Sequence, residues 1–264
     1  MLFPDSERVI YDKNPLIQVI CQLRFPAILK IDSELPVEFQ ERIRHKYPIF
    51  REKATGTEQI PQEFTQQLPP AIVSSLFGGG NKASEFVTDD DLWVVTLTRD
   101  FLALTSNQYK HWEQFKEHLQ EPFAALQGIY GPAYFSRVGL RYQNVIQRSQ
   151  LALSDSKWSD LINPSIAGEL SDSEIATAVQ ETATVTLLNL GDSSGQVRIR
   201  HGLAKNNENN EQCYMIDSDF FTDQRTEVEN GINILNTFNS ANRRLFRWCI
   251  TDKLHDAMEP GNPI

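Results

Sequence analysis

The chain has 264 residues, 40% of them hydrophobic and 23% charged, proportions of an ordinary globular protein. Lys and Arg number 25 against 35 Asp and Glu, a net charge of −10, which disfavours non-specific binding to nucleic acid or an anionic membrane but leaves a local basic patch open. No apolar run approaches the ~20 residues of a bilayer span, Met1 to Lys13 lacks a signal-peptide core, and Cys21, Cys213 and Cys249 form no disulfide framework, so a cytoplasmic protein with buried thiols is expected.

Leu16 to Phe25 reads as a strand of strong β-formers, ended by Pro26. Leu35 to Tyr47 reads as a helix: Leu35, Phe39 and Ile43 recur at helical spacing, and Pro36 sits where a first-turn proline is tolerated. Phe50 to Lys82 is rich in Gln, Pro and Gly, with extended pieces expected at Glu63 to Leu68 and Ala71 to Phe77 between Pro69-Pro70 and Gly78-Gly79-Gly80-Asn81. Trp93 to Thr98 alternates as a strand, turns at Arg99-Asp100 and continues as Phe101 to Thr105. Trp112, Phe115, Leu119, Phe123 and Leu126 then form a helical apolar stripe. Pro122 should kink or split that helix, and Gly128 should end it.

A second series follows. Tyr134 to Gln147 is a strand, Trp158 to Ile162 a short helix, and Glu174 to Leu190, Gly195 to Ala204 and Gln212 to Asp217 are strands, with Asn206 to Asn210 a hairpin loop between the last two. One helix is expected from about Asp223 to Met258, roughly 50 Å long at 1.5 Å per residue, with Gly231, Ser240 and several Asn weakening its intrinsic propensity. Leu23-Arg24-Phe25 is echoed by Leu140-Arg141-Tyr142, and Leu104-Thr105-Ser106 by Ile216-Asp217-Ser218. These echoes point to an α+β fold made of two pseudo-repeats, residues 1–132 and 133–264. Each would run strand, helix, strands, long helix, and together they would form an extended antiparallel sheet with the long helices packed on one face. One continuous α+β domain whose similar pieces coincide is the alternative.

The chemical motifs are weak. His111 and His118 lie on one side of a helix without a third ligand, so they read as solvated rather than as a zinc site. The glycine run ending in Lys82 lacks Walker spacing, and Asp89-Asp90-Asp91 lacks EF-hand spacing and reads as a solvated turn. There is no nucleophile elbow. No catalytic residue, metal ligand or cofactor is assigned.

The alternation of strands is more informative. It places Arg137, Arg141 and Gln143 on one face, opposite Val138, Leu140 and Tyr142, and places Arg24, Arg198 and Arg200 opposite their apolar neighbours too. In a shared sheet these residues form a cationic face on an acidic protein, suited to an anionic partner. The plain alternative is the polar side of a half-solvated sheet whose arginines pair with nearby carboxylates.

The run Asn14-Pro15-Leu16-Ile17 through Leu23-Arg24-Phe25-Pro26, the strand Gly139-Leu140-Arg141-Tyr142-Gln143-Asn144 and the late Ile250-Thr251-Asp252 resemble a sporadically distributed bacterial protein family without a settled function. The resemblance spans nearly the whole chain. It implies an accessory setting such as anti-phage defence or a toxin–antitoxin pair, and supplies no catalytic residues. In outline the doubled unit is also similar to TATA-binding-protein-like folds, a likeness of topology that does not fix function. The expectation is a non-catalytic binding or adaptor protein whose partner is another protein, held on the sheet face or at the repeat junction. An enzyme or binder acting on nucleic acid or a nucleotide through the arginines competes with it, and self-association stays open.

Overall fold

The computed structural model describes residues 2–54, 82–191, 195–206 and 209–261. The extended pieces expected between Glu63 and Phe77 and the glycine run Gly78 to Asn81 lie outside these residues. In chain order the elements are β1 (Ile10–Tyr11), β2 (Leu16–Arg24), α1 (Leu29–Ser33), α2 (Val37–Ile43), β3 (Ile49–Ala54), β4 (Lys82–Val87), β5 (Trp93–Leu97), β6 (Phe101–Ser106) and α3 (Trp112–Tyr130). They continue with β7 (Arg137–Gln147), α4 (Pro164–Ala167), β8 (Thr184–Asn189), β9 (Gln196–Lys205), β10 (Gln212–Thr222), α5 (Gly231–Cys249), α6 (Asp252–Ala257) and β11 (Pro260–Gly261).

Nine strands form one antiparallel sheet in the order β3-β4-β5-β6-β2-β7-β10-β9-β8. The fold is α+β, as the alternation and helical stripes imply. Outward from the central β2–β7 pair, β2-β6-β5-β4 has the same order of first, last, penultimate and preceding strand as β7-β10-β9-β8. The last strand on each side leads into a long helix of 19 residues, α3 or α5. Both helices lie on the same side of the sheet. Val19, Cys21 and Leu23 of β2, Leu140 and Tyr142 of β7, and Phe220 of β10 are buried beneath them with Phe115 and Leu119 of α3 and Leu235 and Phe238 of α5. Burying each such side chain contributes about 1.5–3 kcal/mol.

Several expectations need correction. The final helix is broken, because Ile250 leaves helical geometry to bridge Ile162 and the Thr251 side chain accepts from the Leu254 N–H to start α6. Pro122 does not split α3. A proline lacks the N–H that would bond the carbonyl four residues back, here that of His118, and the Tyr47 hydroxyl donates to this carbonyl at 2.9 Å. Gly128 stays within the helix. Its end is Gly131, which adopts φ 51° and returns its N–H to Leu126 O and Gln127 O. The stretch Glu174 to Leu190 is a strand only at Thr184–Asn189, because Asp172 Oδ1 accepts from the N–H groups of Glu174 and Ile175 and turns the chain there. Neither helix histidine is a solvated face residue. His111 is the N-cap of α3, accepting from the Gln114 N–H. His118 is stacked on Trp93 with ring centroids 3.7 Å apart, and burial, helped by Lys46, lowers its pKa to about 4.

Candidate functional site

The face of the sheet away from the long helices is built by β2, β7, β10, β9 and β8. A strand sends alternate side chains to opposite faces. In β10, Ile216, Ser218 and Phe220 point to the helices, where Ser218 Oγ hydrogen-bonds Asn242 Oδ1 of α5 at 2.7 Å. Asp217, Asp219 and Phe221 therefore point to the other face. Across from them the register sets Gln143, Arg141 and Gly139 of β7 on one side and Arg200, Arg198 and Gln196 of β9 on the other. Arg24 of β2 lies directly opposite Arg137 of β7. The structure thus brings all six expected residues, Arg24, Arg137, Arg141, Gln143, Arg198 and Arg200, to one face.

That face also holds their counter-charges. Arg141 donates from Nε and Nη2 to the two Asp217 oxygens at 2.7 and 2.8 Å, a bidentate fork. Arg200 Nη1 donates to Asp217 Oδ2 at 3.1 Å. Arg137 Nη2 donates to both Asp219 oxygens at 3.1 Å, and its Nη1 donates to Gln22 Oε1 at 3.2 Å. The guanidiniums of Arg137 and Arg198 lie 4.9 and 5.4 Å from the Phe221 ring centroid. Asp217 and Asp219 are only 1% and 3% exposed and Arg200 4%, so this is an interior ion network rather than a solvated patch. Burial works to lower the Arg141 pKa, but Asp217 outweighs it and the net shift is upward. For Arg200 burial prevails over Asp217 and the shift is downward. A guanidinium stays protonated in either case.

The cationic charge is incompletely matched. Arg200 Nε and Nη2 and Arg24 Nε are buried without hydrogen-bond partners. Among the described residues neither Arg24 nor Arg198 forms a salt bridge. Asp219 and Phe221 lie beyond Asp217, where the sequence places the end of the strand from Gln212, and Asp217 itself reads there as a strand terminus rather than as part of the face. The same alternation carried four residues further, through Ser218 and Phe220, would have exposed the acids.

The network is bordered by an edge. β8 is the last strand of the sheet, and among the described residues no strand pairs with its outer backbone groups. Val185 and Leu187 share the arginine face, across from Arg200 and Arg198, and are 48% and 50% exposed. From Thr182 to Gly191 there is no charged residue and no proline. The opposite outer strand, β3, carries Arg51, Glu52 and Lys53 in succession.

No family model matches the chain, and no curated protein matches it. Among the described residues no group of three or more His, Cys, Asp or Glu could hold a metal ion, and no helix is long and apolar enough to cross a membrane.

Proposed function

We propose that this chain is a non-catalytic binding protein that takes an extended segment of another protein as an added strand along β8. The observation that carries the reading is the unprotected edge. Natural sheets blunt their edges with charge, proline, bulges or a covering element, and β3 bears charges where β8 bears none. A partner strand would satisfy the outward backbone groups of β8, while its apolar side chains on the arginine side would cover Val185 and Leu187. Behind them, Arg198, without a carboxylate partner among the described residues, offers a cation for an acid at the rim of such a segment. The nucleic-acid or nucleotide alternative draws support only from Arg24 and Arg198, because Asp217 and Asp219 occupy the other three arginines. A bacterial accessory or defence setting rests on the family resemblance alone.

The test is a double substitution, Val185→Lys with Leu187→Lys, which charges the edge without touching the core. It should leave the thermal unfolding midpoint essentially unchanged. Proteins from the native host retained by the wild-type chain and lost by the variant are then candidates, and an authentic partner should slow amide hydrogen exchange in residues 184–189 when added to the wild type. The same retained set for both chains, or a wild-type homodimer that the variant turns into a monomer, would overturn the proposal.

A further inference from the structure

A second feature lies at the junction of the two halves, on the helix side of the sheet and away from β8. A half-open cavity of about 320 Å³ is lined by the N-terminal segment Glu7–Tyr11, the first turn of α3, β7 and the middle of α5. This is within the roughly 300–1,000 Å³ range of small-molecule clefts. The N-terminal segment is held over it by the Arg8–Glu113 ion pair, by Asp5 to Arg244 at 2.8 Å, and by the pairing of β1 with β11.

The polarity of the cavity is set by α5. Asn236, Asn239 and Asn242 recur every three residues and so share one side of the helix. Each commits its carbonyl oxygen to the protein. Asn236 Oδ1 accepts from Trp112 Nε1 at 2.7 Å. An indole N–H can only donate, which fixes the orientation of that amide. Asn239 Oδ1 accepts from the Tyr142 hydroxyl at 2.8 Å and the Tyr109 hydroxyl at 3.5 Å. Asn242 Oδ1 accepts from Ser218 Oγ at 2.7 Å. The three amide nitrogens have no hydrogen-bond partner among the described residues. One turn on, Arg243 has a buried Nε without a partner and no carboxylate within salt-bridge distance among the described residues. Of the two carboxylates in the wall, Glu113 is taken by Arg8 and Glu7 lies at the exposed rim.

We infer that the junction cavity is a binding site for a small organic anion, its carboxylate or phosphate group held by Arg243 and the amide nitrogens of Asn239 and Asn242. An ionised oxyanion only accepts hydrogen bonds, and this wall offers an uncompensated row of donors where an apolar helix–sheet interface would otherwise close up. The inference is independent of the β8 reading, because none of its residues lies on β8 or on the arginine face.

Isothermal titration calorimetry of the full chain with inorganic phosphate and, separately, with succinate tests it, each against sodium chloride at equal ionic strength. Binding of either probe is expected, and the arm that binds identifies the anion class. Asn239→Asp keeps an acceptor for both tyrosines but places a carboxylate in the cavity, and Arg243→Gln removes the cation. Each should weaken binding by about tenfold or more, while Asn233→Asp, on the exposed side of α5, should not. Circular dichroism establishes that the variants are folded. Absence of binding by both probes, or binding unchanged in folded Asn239→Asp and Arg243→Gln, would overturn the inference.

Discussion

Arg24 and Arg141 occupy the same place in the two halves of the sheet and meet opposite fates. Each follows a buried leucine on the first strand of its half, faces away from the helices, and lies beside the last strand of that half, β6 or β10. Arg24 finds Phe101 across from it on β6, and another arginine, Arg137, on its other side. Arg141 finds Asp219 across from it and forks onto Asp217 one alternate position away. The backbone course is the same. What differs is the set of alternate residues on one strand, Phe101, Ala103 and Thr105 in β6 against Asp217, Asp219 and Phe221 in β10. Among the described residues the shared strand order therefore carries the arginine–aspartate network in the second half alone, and the edge proposed for partner binding belongs to that half.

The most severe way to break the comparison is Asp217→Asn. It removes the charge shared by Arg141 and Arg200 and leaves two buried guanidiniums side by side. Breaking a buried pair in this way costs about 3–5 kcal/mol, read as a lower urea midpoint at unchanged slope. A loss below about 1 kcal/mol, the range of surface pairs, would mean that the network is solvated and the arginine face open.

The first half has its own buried polar device, in α3. Tyr47→Phe keeps the ring in place and removes the donor to the His118 carbonyl that Pro122 frees. An unsatisfied buried acceptor costs about 1–3 kcal/mol, so the variant should unfold earlier by that amount. If Pro122 is replaced by alanine in the same chain, the restored backbone N–H should recover part of the loss. Unchanged stability in Tyr47→Phe would show that water serves that carbonyl equally well.

Protonation offers a further probe of the first half. His118, stacked on Trp93 and desolvated, has a folded pKa of about 4, below its ordinary value of 6.5. A depressed folded pKa means that the unfolded chain takes up the proton first. The contribution is thus fully present above pH 6.5 and fades as the pH falls toward 4. Nearby Glu117, Asp90 and Glu121 oppose the shift, and Lys46 adds to it. His118→Phe, which preserves the stack, should flatten the stability profile across that window. A profile as steep as the wild type's would assign the slope to other groups, His201 and His255 among them, whose pKa values burial also lowers.

The strands and long helices were legible wherever periodicity was unambiguous. Trp93, Val95 and Leu97 alternate into the core, Phe115 and Leu119 point inward, and the arginines fall on the face their spacing implied. The parts that were not legible depend on contacts distant in sequence. The break at Ile250 needs Ile162, and the uninterrupted α3 needs Tyr47, a residue 75 positions before Pro122. The Asp217 and Asp219 pairs join strands that only the sheet order brings together. The junction cavity was hidden for a related reason: asparagines on a helix read as weak propensity until their oxygens are seen to be engaged by Trp112, Tyr142 and Ser218.

The smallest effect belongs to Arg24 and is the sharpest test of the comparison. Without a carboxylate partner among the described residues and across from Arg137, it contributes charge to the face but little to the fold. Arg24→Gln should change unfolding free energy by less than about 1 kcal/mol, in either direction, since it relieves a like-charge pair while losing the packing of an aliphatic stem. Arg141→Gln, at the equivalent place, should cost several-fold more because it strips Asp217 of its bidentate partner. Equal losses for the two substitutions would mean that the acids of β10 are not what distinguishes the halves, and that the burial of the arginine stems decides instead.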